Sequence, residues 1–341
     1  MTEMKAVGLY KYLPASDPEC FVDVSVPKPE PKGHDLLVRV QAISINPVDT
    51  KVRAPKDQVE PTPKILGYDA AGIVEAVGEA VTLFKPGDKV YYAGAINRSG
   101  SYAAYQLVED AIVGPMPQNL SFAEAAAMPL TTITAWEALV DRLGIPAERG
   151  ASKGKSILII NAAGGVGSVA TQLASYFGLT VIGTASRPQT EAWTKKHGAD
   201  FVISHRQEFL PQLQAIGFAE GVDYILCLHS TDRHWKNMAE AIKPQGRIAS
   251  IVENEQPLEL GLLKSKSASF SWEFMFTRPV YQTPDRIKQH QLLETAAQLM
   301  EQGMIQSTMH EQWQGINAAN IRLAHQQIEA NQSIGKLVIL A

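Results

Sequence analysis

The sequence predicts an α/β protein of two domains, one an irregular β domain and the other a doubly wound parallel sheet. The chain has 341 residues, and a single core rarely grows past about 250 to 300 residues before a chain splits into domains. Its first third reads as short strands separated by proline-rich and glycine-containing turns. From residue 156 onward, apolar strands alternate with helices of roughly 10 residues, which is typical of βαβ units around a parallel sheet.

The elements follow this order along the chain. The early strands are MKAVGLY, DLLVRVQAISIN, AAGIVEAVG and DKVYYAG. A helical segment begins at Ser121, because a serine followed three residues later by Glu124 is a capping box. The alternating block runs from SILIINAA to RIASIV. The tail adds ASFSWEFMF, two helices and a final strand GKLVILA. The alternating block is therefore either inserted into, or joined beside, a domain built from both chain ends.

Charge and cysteine content exclude several classes of protein. The formal net charge is -4 with acids and bases interspersed, so the chain has no basic stripe for nucleic acid and no lysine-rich run for a membrane surface. Cys20 and Cys227 are its two cysteines, too few for a disulfide framework or a multi-cysteine zinc site. The N-terminus has no apolar signal region, and no run reaches the roughly 18 apolar residues of a membrane span. We expect a soluble cytoplasmic protein that binds a small molecule or a second copy of itself.

The stretch SILIINAAGGVGSVATQLASYFG places a glycine-rich turn between an apolar strand and an amphipathic helix. In the dinucleotide fingerprint G-x-G-x-x-G, the first glycine makes the turn, the second admits the pyrophosphate and the third lets helix and strand pack closely. Ala162 takes the first place here, and Gly164 and Gly167 keep the other two. With Gly165 and Val166 at the helix start, free N–H groups and the positive end of the helix dipole face a phosphate. The alternative is an ordinary tight strand-helix turn.

The residues at and just after the end of the next predicted strand, TVIGTAS, indicate which cofactor binds. An NAD site has an acid about 20 residues past the glycines, whereas an arginine accommodates the 2′-phosphate of NADP. Ser186 and Arg187 hold this place, with no acid before Glu191. A hydroxyl and a guanidinium bind a phosphate that a carboxylate would repel, so NADP(H) is preferred over NAD(H). The alternative for Arg187 is a solvated loop position.

A family resemblance rests on an ordered series of motifs that covers nearly the whole chain: AISINPVDTKVR, ILGYDAAGIVEAVG, LTTITAWEAL and NAAGGVGSVATQLA. These resemble the medium-chain dehydrogenase/reductase superfamily and, more closely, its quinone oxidoreductase branch. Later stretches resemble a subgroup of zinc-type alcohol dehydrogenase-like proteins. The resemblance implies a GroES-like catalytic domain from residues 1–125 and 266–341, a Rossmann domain from residues 126–265, NADP(H) in the cleft and a homodimer.

Zinc-dependent members of the family would have cysteine at position 46, histidine at 68 and a second cysteine near 130. This chain has Asn46, Tyr68 and Leu130 there, and a catalytic zinc needs three donors of the Cys, His, Asp or Glu type. The stretch YYAGAINRSGSYAAY is also too short for the family's four-cysteine lobe. We therefore expect no metal site.

Without zinc, simple alcohol oxidation loses the Lewis acid that activates the alcohol. A quinone or activated enone accepts hydride more easily, so the expected activity is a zinc-independent NADPH-dependent reductase of quinones or activated enones. The alternatives are an enoyl-thioester reductase and a non-catalytic NADPH-binding redox sensor. Asn46, Asp49 and Tyr68 match positions that line the family's cleft, and Asn46 and Tyr68 can donate to the acceptor oxygen. Alternatively, Asn46 forms a turn, Asp49 caps a helix and Tyr68 is a packed aromatic.

Three further residues are candidates for cofactor contact. Thr134 matches a family threonine near the nicotinamide, although a helix-interior threonine bonded to its own turn would look the same. The resemblance places His205, with Arg206, beside the adenosine phosphate, where the usual tyrosine is missing. His229 follows a strand of the parallel sheet, and such strand ends face the ligand crevice; it could touch the nicotinamide ribose.

Phe270, Trp272, Phe274 and Phe276 recur at strict period two, which predicts a strand with one aromatic face. The family uses such a region across a dimer or over the substrate cleft. A purely internal packed strand remains the alternative.

Overall fold

The computed structural model describes residues 2–331 and 333–341. The chain divides into two compact units, unit 1 (Met1–Leu130 with Phe276–Ala341) and unit 2 (Thr131–Met275). The divisions fall 5 and 10 residues later than the predicted ones at 125/126 and 265/266. Within the described ranges, no helix has the length and apolar character that crossing a membrane requires.

The first segment of unit 1 is built mostly from strands. These are β1 (Glu3–Tyr12), β2 (Val22–Pro27), β3 (Asp35–Ser44), β4 (Lys56–Ile65), β5 (Ala70–Val77), β6 (Lys89–Tyr92), β7 (Tyr105–Glu109) and β8 (Val113–Pro115). Helix α1 (Pro47–Arg53) lies between β3 and β4, and α2 (Phe122–Ala126) follows β8. The predicted capping box is confirmed at α2, where the Ser121 hydroxyl accepts from Glu124 N and Glu124 accepts from Ser121 N at 2.8 Å.

Helix α3 (Pro129–Trp136) carries the chain into unit 2, where a π-helical turn follows over Glu137–Arg142. The strands of unit 2 are β9 (Ser156–Ile160), β10 (Thr180–Thr184), β11 (Phe201–Ile203), β12 (Val222–Cys227), β13 (Ile242–Ser250) and β14 (Ser269–Trp272). Its helices are α4 (Gly165–Tyr176), α5 (Pro188–Lys196), α6 (Phe209–Ala215) and α7 (Thr231–Ala241).

The six strands of unit 2 form one parallel sheet in the order β11-β10-β9-β12-β13-β14. This is the doubly wound order, in which the strand sequence reverses between β9 and β12, and ligands of such folds bind outside the carboxyl ends of the strands at that reversal. The α/β class and the parallel sheet predicted from the sequence are both confirmed.

The chain then returns to unit 1 with α8 (Thr277–Tyr281), α9 (Ile287–Glu301), β15 (Met309–Gln314), α10 (Ala318–Glu329) and β16 (Lys336–Leu340). Strand β16 pairs antiparallel with β3, so the end of the chain enters the sheet begun near its start. The resulting seven-stranded sheet runs β15-β16-β3-β5-β6-β8, with β7 also paired to β3, and a three-stranded sheet runs β2-β1-β4.

The predicted aromatic strand is corrected by the structure. Strand β14 ends at Trp272 and pairs with β13 in the parallel sheet, and residues 266–275 lie in unit 2 and not in the domain built from the chain ends. Phe270 packs against Trp235 at 5.2 Å and against Trp272 at 4.9 Å between ring centroids. Phe274 lies beyond the strand, and Phe276 is buried in unit 1. Period two was a coincidence of spacing, because the backbone leaves the extended conformation after Trp272.

Candidate functional site

The glycine-rich turn of unit 2 joins β9 to α4. Asn161 adopts a left-handed backbone with φ of 67°, which turns the chain, and Gly164 precedes the first helical residue in an extended conformation. The backbone N–H groups that open a helix have no partner within it. Because α4 begins at Gly165, the N–H groups of Gly165, Val166 and Gly167 are available to an anion at the positive end of the helix dipole.

Gly167 shows why the turn needs glycine. A Cβ atom at this position would lie 2.4 Å from the Asn161 carbonyl oxygen and 2.6 Å from Ala162 Cα, so any side chain would force the helix away from the strand. A Cβ at Gly164 would lie 3.0 Å from Asn161 Nδ2, which is tight but less severe. The close approach of helix and strand at Gly167 is the role that the dinucleotide fingerprint assigns to its third glycine.

The other predicted cofactor residues of unit 2 follow neighbouring strands of the parallel sheet. Ser186 and Arg187 come after β10 and are half-buried, His205 follows β11 and is half-buried, and His229 follows β12 and is exposed. Since carboxyl ends of parallel strands meet at one edge, the structure brings these side chains and the glycine turn to the same edge of the sheet. Arg187 also precedes α5, and its backbone N–H donates to Thr190 Oγ1 at 3.2 Å.

Thr134 is buried in α3, a few residues before the π-helical turn Glu137–Arg142. Helical turns of this type occur often at functional sites. Its contact with the nicotinamide stays a prediction.

In unit 1 the predicted catalytic residues Asn46 and Asp49 form a local cap. The Asn46 backbone N–H at the start of α1 donates to Asp49 Oδ2 at 2.6 Å. Burial raises the pKa of Asp49 to about 7, while the Asn46 N–H and the Lys336 charge act to lower it. Asp49 Oδ1 is buried with no hydrogen-bond partner among the described residues. The arrangement is the helix-capping alternative for Asp49.

The Asn46 side chain is committed to a network that includes two residues missed from the sequence. Asn46 Nδ2 donates to Asp69 Oδ2 at 3.0 Å and to the Ser44 carbonyl at 3.4 Å, and Asn46 Oδ1 accepts a short hydrogen bond from Lys336 Nζ. Both amide hydrogens are thus used inside unit 1. Donation from Asn46 to an acceptor oxygen would require breaking one of these bonds, so the geometry does not favour that role.

Lys336 and Asp69 form the centre of this network, and both are buried. Lys336 Nζ lies 3.3 Å from Asp69 Oδ2 and donates to the Ile45 carbonyl at 2.9 Å, while Leu130 N donates to Asp69 Oδ1 at 3.0 Å. Burial raises the pKa of Asp69 and lowers that of Lys336, and their mutual attraction opposes both shifts. The signal in the sequence was an acid and a base at the heads of two apolar strands, DAAGIVEAV and KLVIL.

Tyr68 precedes Asp69 and is 1% exposed. Its ring packs edge to face on Phe276 at 5.5 Å, and its hydroxyl donates to the Ile96 carbonyl at 3.4 Å, longer than the usual O–H···O distance of about 2.5–3.0 Å. Burial, reinforced by the nearby Asp49, raises the pKa of Tyr68 well above its ordinary value, so the hydroxyl keeps its proton. It is a weakly engaged donor, unlike the Asn46 amide.

These residues do not fit a zinc ion. Asn46 and Leu130 both donate to Asp69, the residue that follows Tyr68, and the Lys336 ammonium already supplies the positive charge there. Across residues 2–331 and 333–341, no group of three His, Cys, Asp or Glu side chains is placed to hold a metal. The neutral amide, phenol and aliphatic side chain at the three positions lack the donors that zinc requires.

Comparison with known families agrees with this two-part architecture. The family described as alcohol dehydrogenase GroES-like domain matches residues 32–133, and the family described as zinc-binding dehydrogenase matches residues 197–339. The second description names a metal whose ligands this chain lacks at the positions above.

Individual relatives cover three quarters or more of the chain. A zinc-type alcohol dehydrogenase-like protein of Staphylococcus aureus is 47% identical over 336 residues, 98% of this chain and 99% of the relative. The quinone oxidoreductase of Sus scrofa is 33% identical over 259 residues, 75% of each chain.

Solved structures of similar proteins align with the whole chain. A crystal structure from Rhizobium etli CFN 42, described as a candidate zinc-dependent alcohol dehydrogenase, is 44% identical with a TM-score of 0.94 and covers 100% of this chain and 99% of its own. The quinone oxidoreductase of Coxiella burnetii is 27% identical with a TM-score of 0.80 and covers 100% of both chains. The matching families and relatives together identify the family of this chain. It belongs to the medium-chain dehydrogenase/reductase superfamily, beside its quinone oxidoreductases and zinc-type alcohol dehydrogenase-like proteins.

Proposed function

We propose that this protein is a zinc-independent, NADPH-dependent reductase of quinones or activated enones. The observation that carries the proposal is the site around Asp69, where Lys336 and not a metal provides the cation and where Tyr68 keeps a loosely held hydroxyl. A conjugated acceptor needs only a hydrogen-bond donor for the oxygen that gains charge, whereas alcohol oxidation needs an agent that lowers the alcohol pKa.

The cofactor assignment rests on unit 2. When bound, NADPH supplies the hydride. Gly164, Gly165 and Gly167 would hold its pyrophosphate, and Ser186 with Arg187 would hold its 2′-phosphate, because a hydroxyl and a guanidinium favour a dianion that a carboxylate would repel.

The role assigned to unit 1 is that of Tyr68. Its hydroxyl remains protonated because burial raises its pKa, and its bond to the Ile96 carbonyl is long enough to exchange for a better acceptor. Tyr68 would donate a hydrogen bond to the acceptor oxygen, and Asn46 and Asp49 would keep the start of α1 in place. Asn46 and Asp49 thereby support the site as positioning residues.

The proposed assembly is a homodimer. Strand β14 lies at the outer edge of the parallel sheet, and an edge strand presents unpaired backbone groups that a second copy can pair. Trp272 at the end of this strand is 45% exposed. Light scattering should give twice the chain mass at micromolar concentration, and a monomeric mass would contradict this assembly.

A cytoplasmic location stays a prediction, resting on the two free cysteines.

The experiment that tests the function is steady-state oxidation of NADPH and NADH with an ortho-quinone and a simple enone, on protein pretreated with a chelator. We expect turnover that survives chelation and a preference for NADPH of about tenfold or more, equal to about 1.4 kcal/mol. Arg187→Ala should reduce this preference. Arg149→Ala is the matched control, because Arg149 is exposed and precedes the amino end of β9, whereas Arg187 follows the carboxyl end of β10.

Two results would contradict the proposal. Stoichiometric zinc in dialysed protein, with activity lost to the chelator, would show a metal enzyme. Tight NADPH binding without turnover on either acceptor would favour a carrier-linked enoyl substrate or a redox sensor.

A further inference from the structure

The loops that follow β11 and β12 meet on one side of unit 2. The Phe209 ring at the start of α6 stacks on His234 in the first turns of α7, with centroids 5.4 Å apart and planes inclined by 28°. Phe209 N also donates to Asn237 Oδ1 at 3.3 Å. The loop carrying His205 leads into α6 and the loop carrying His229 leads into α7, so this packing gathers their side chains.

The side chains gathered here are all basic. The cluster, called the cationic cluster below, consists of His205, Arg206, His229, Arg233 and His234. Burial lowers the pKa of all three histidines, and neighbouring basic side chains lower it further: Arg206, Arg233 and His229 act on His205, Arg233 acts on His229, and Arg233 with the other two rings acts on His234.

Within the described residues, neither of the nearest carboxylates in sequence forms an ion pair with the cluster. Asp232, in the first turn of α7, accepts the backbone N–H groups of Glu255 and Gln256 at 2.8 and 3.2 Å. Glu208, in the loop before α6, is exposed. A further polar neighbour is Ser230, whose hydroxyl lies 2.7 Å from His229 Nδ1. Like charges gathered without a counter-charge are unfavourable in the free protein and become favourable once an anion is bound.

The position of the cluster in the sheet and its arginine and histidine donors together indicate which anion it binds. Strand β11 neighbours β10, so the cluster lies along the same carboxyl edge as Ser186 and Arg187. Arginine binds phosphate through two parallel donors, and a histidine gains a second donor when it takes up a proton. A phosphomonoester carries close to two negative charges at neutral pH, which suits two arginines and rings that are neutral until an anion arrives.

We propose that the cationic cluster binds the 2′-phosphate of NADP(H), with Arg233 as an added determinant of specificity, and that binding takes up a proton from solvent onto His205 or His229. The inference rests on the proposed use of NADP(H). The balance is simple: the buffer loses one proton, a neutral imidazole becomes an imidazolium, and no bond in the cofactor changes.

The test is a calorimetric titration with adenosine 2′,5′-bisphosphate and with AMP, each in buffers of different ionisation enthalpy near about pH 7.5, where histidines with ordinary pKa values are mostly neutral. The two probes differ only in the 2′-phosphate. We expect uptake of about 0.5 proton or more per chain with the bisphosphate and little with AMP, because only the 2′-phosphate raises the histidine pKa.

Variants separate the arginine from the histidines. Arg233→Ala should weaken bisphosphate binding by about tenfold or more, the value of a lost charge-assisted pair, and should leave AMP binding within about twofold. The double variant His205→Gln with His229→Gln should lose most of the proton uptake. Arg149→Ala and the exposed His310→Gln of unit 1 are the matched controls and should match the unaltered protein in both measurements.

The outcomes distinguish the inference from the function it rests on. Equal affinity of the unaltered protein for bisphosphate and AMP would defeat the NADP(H) preference itself. Preference for the bisphosphate without proton uptake, or uptake unchanged in the double histidine variant, would overturn the proton-linked mechanism. Unchanged bisphosphate affinity in Arg233→Ala would remove Arg233 from the site.

Discussion

The polar network of unit 1 and the cationic cluster of unit 2 use charge in opposite ways. In the network, Asp69 and Lys336 are buried, opposite in sign and 3.3 Å apart, and the Asn46 amide and the Leu130 N–H complete their hydrogen bonds. In the cluster, two exposed arginines lie beside three histidines, and these arginines help to keep the rings neutral. The chain itself supplies both charges of the network, whereas in our proposal the cluster receives its counter-charge from a bound phosphate. Substitutions in the first should therefore change stability, and substitutions in the second should change ligand binding.

The largest expected effect is that of Lys336→Met. Removing one partner of a buried ion pair leaves the other charge uncompensated, so the free energy of unfolding should fall by about 3–5 kcal/mol. Adding Asp69→Asn should recover part of the loss, since the remaining charge is then also removed. Urea unfolding of the single and double variants measures both. Lys236→Met is the control, because Lys236 is 83% exposed and its pair with Glu240 at 3.9 Å should be worth less than about 0.5 kcal/mol. A loss of under about 1 kcal/mol for Lys336→Met would erase the contrast between the two regions.

The next effect is a pH dependence from Asp49. Its pKa is about 7 when folded and about 3.9 when unfolded, so the folded protein holds an extra proton between these values. The associated stabilisation is complete below about pH 4 and is lost as pH rises through about 7. Asp49→Asn cannot titrate, and its stability relative to the unaltered protein should rise by about 1–3 kcal/mol between about pH 5 and pH 8. Thermal unfolding of both proteins at the two pH values measures this difference, and a constant difference would show that Asp49 stays ionised.

A smaller change should follow from Tyr68→Phe, which removes a loosely held donor next to Asp69 in the chain. Turnover with a quinone should fall by about tenfold, or about 1.4 kcal/mol, while the dissociation constant of NADPH should not change. Asn46→Ala would instead lower stability, because Asn46 is bonded to Asp69 and Lys336. If Tyr68→Phe turned over normally, Tyr68 would be a packing residue.

The smallest effect is expected in the free cluster. Arg233→Ala should leave the unfolding free energy unchanged or raise it by at most about 0.5 kcal/mol, because it relieves repulsion at an exposed position. It should also raise the pKa values of His205, His229 and His234 toward their ordinary range, since Arg233 lowers all three. Histidine proton shifts in an NMR titration measure this. Lower pKa values in the variant would mean that the arginine does not face the rings.

The sequence was most informative where structure depends on near neighbours. The capping box at Ser121 and the glycine turn before α4 both follow from residues within a few positions of each other, and the parallel sheet follows from the alternation of strands and helices. The order of βαβ connections then brought Ser186, His205 and His229 to one edge.

The sequence was least informative where partners are distant. Asn46 reads as a turn or a donor, and the lysine that engages it lies 290 residues away. Phe270 and Trp272 do lie in one strand, but nothing local indicated that this strand would stop at Trp272 and that Phe276 would belong to unit 1. Local sequence patterns predict the secondary structure of a segment, but they do not predict which distant segments come into contact.

The pairing of β16 with β3 has a consequence for the order in which the protein is made. Asn46 and Asp69 emerge early in synthesis, whereas Lys336 emerges only after all of unit 2. At about 5–20 residues per second, roughly 270 residues separate Asp69 from its partner by tens of seconds. Unit 2, continuous in sequence, can complete its sheet during that time. Unit 1 must wait with its carboxylates unpaired, and so the part of the molecule that begins first is the last to be finished.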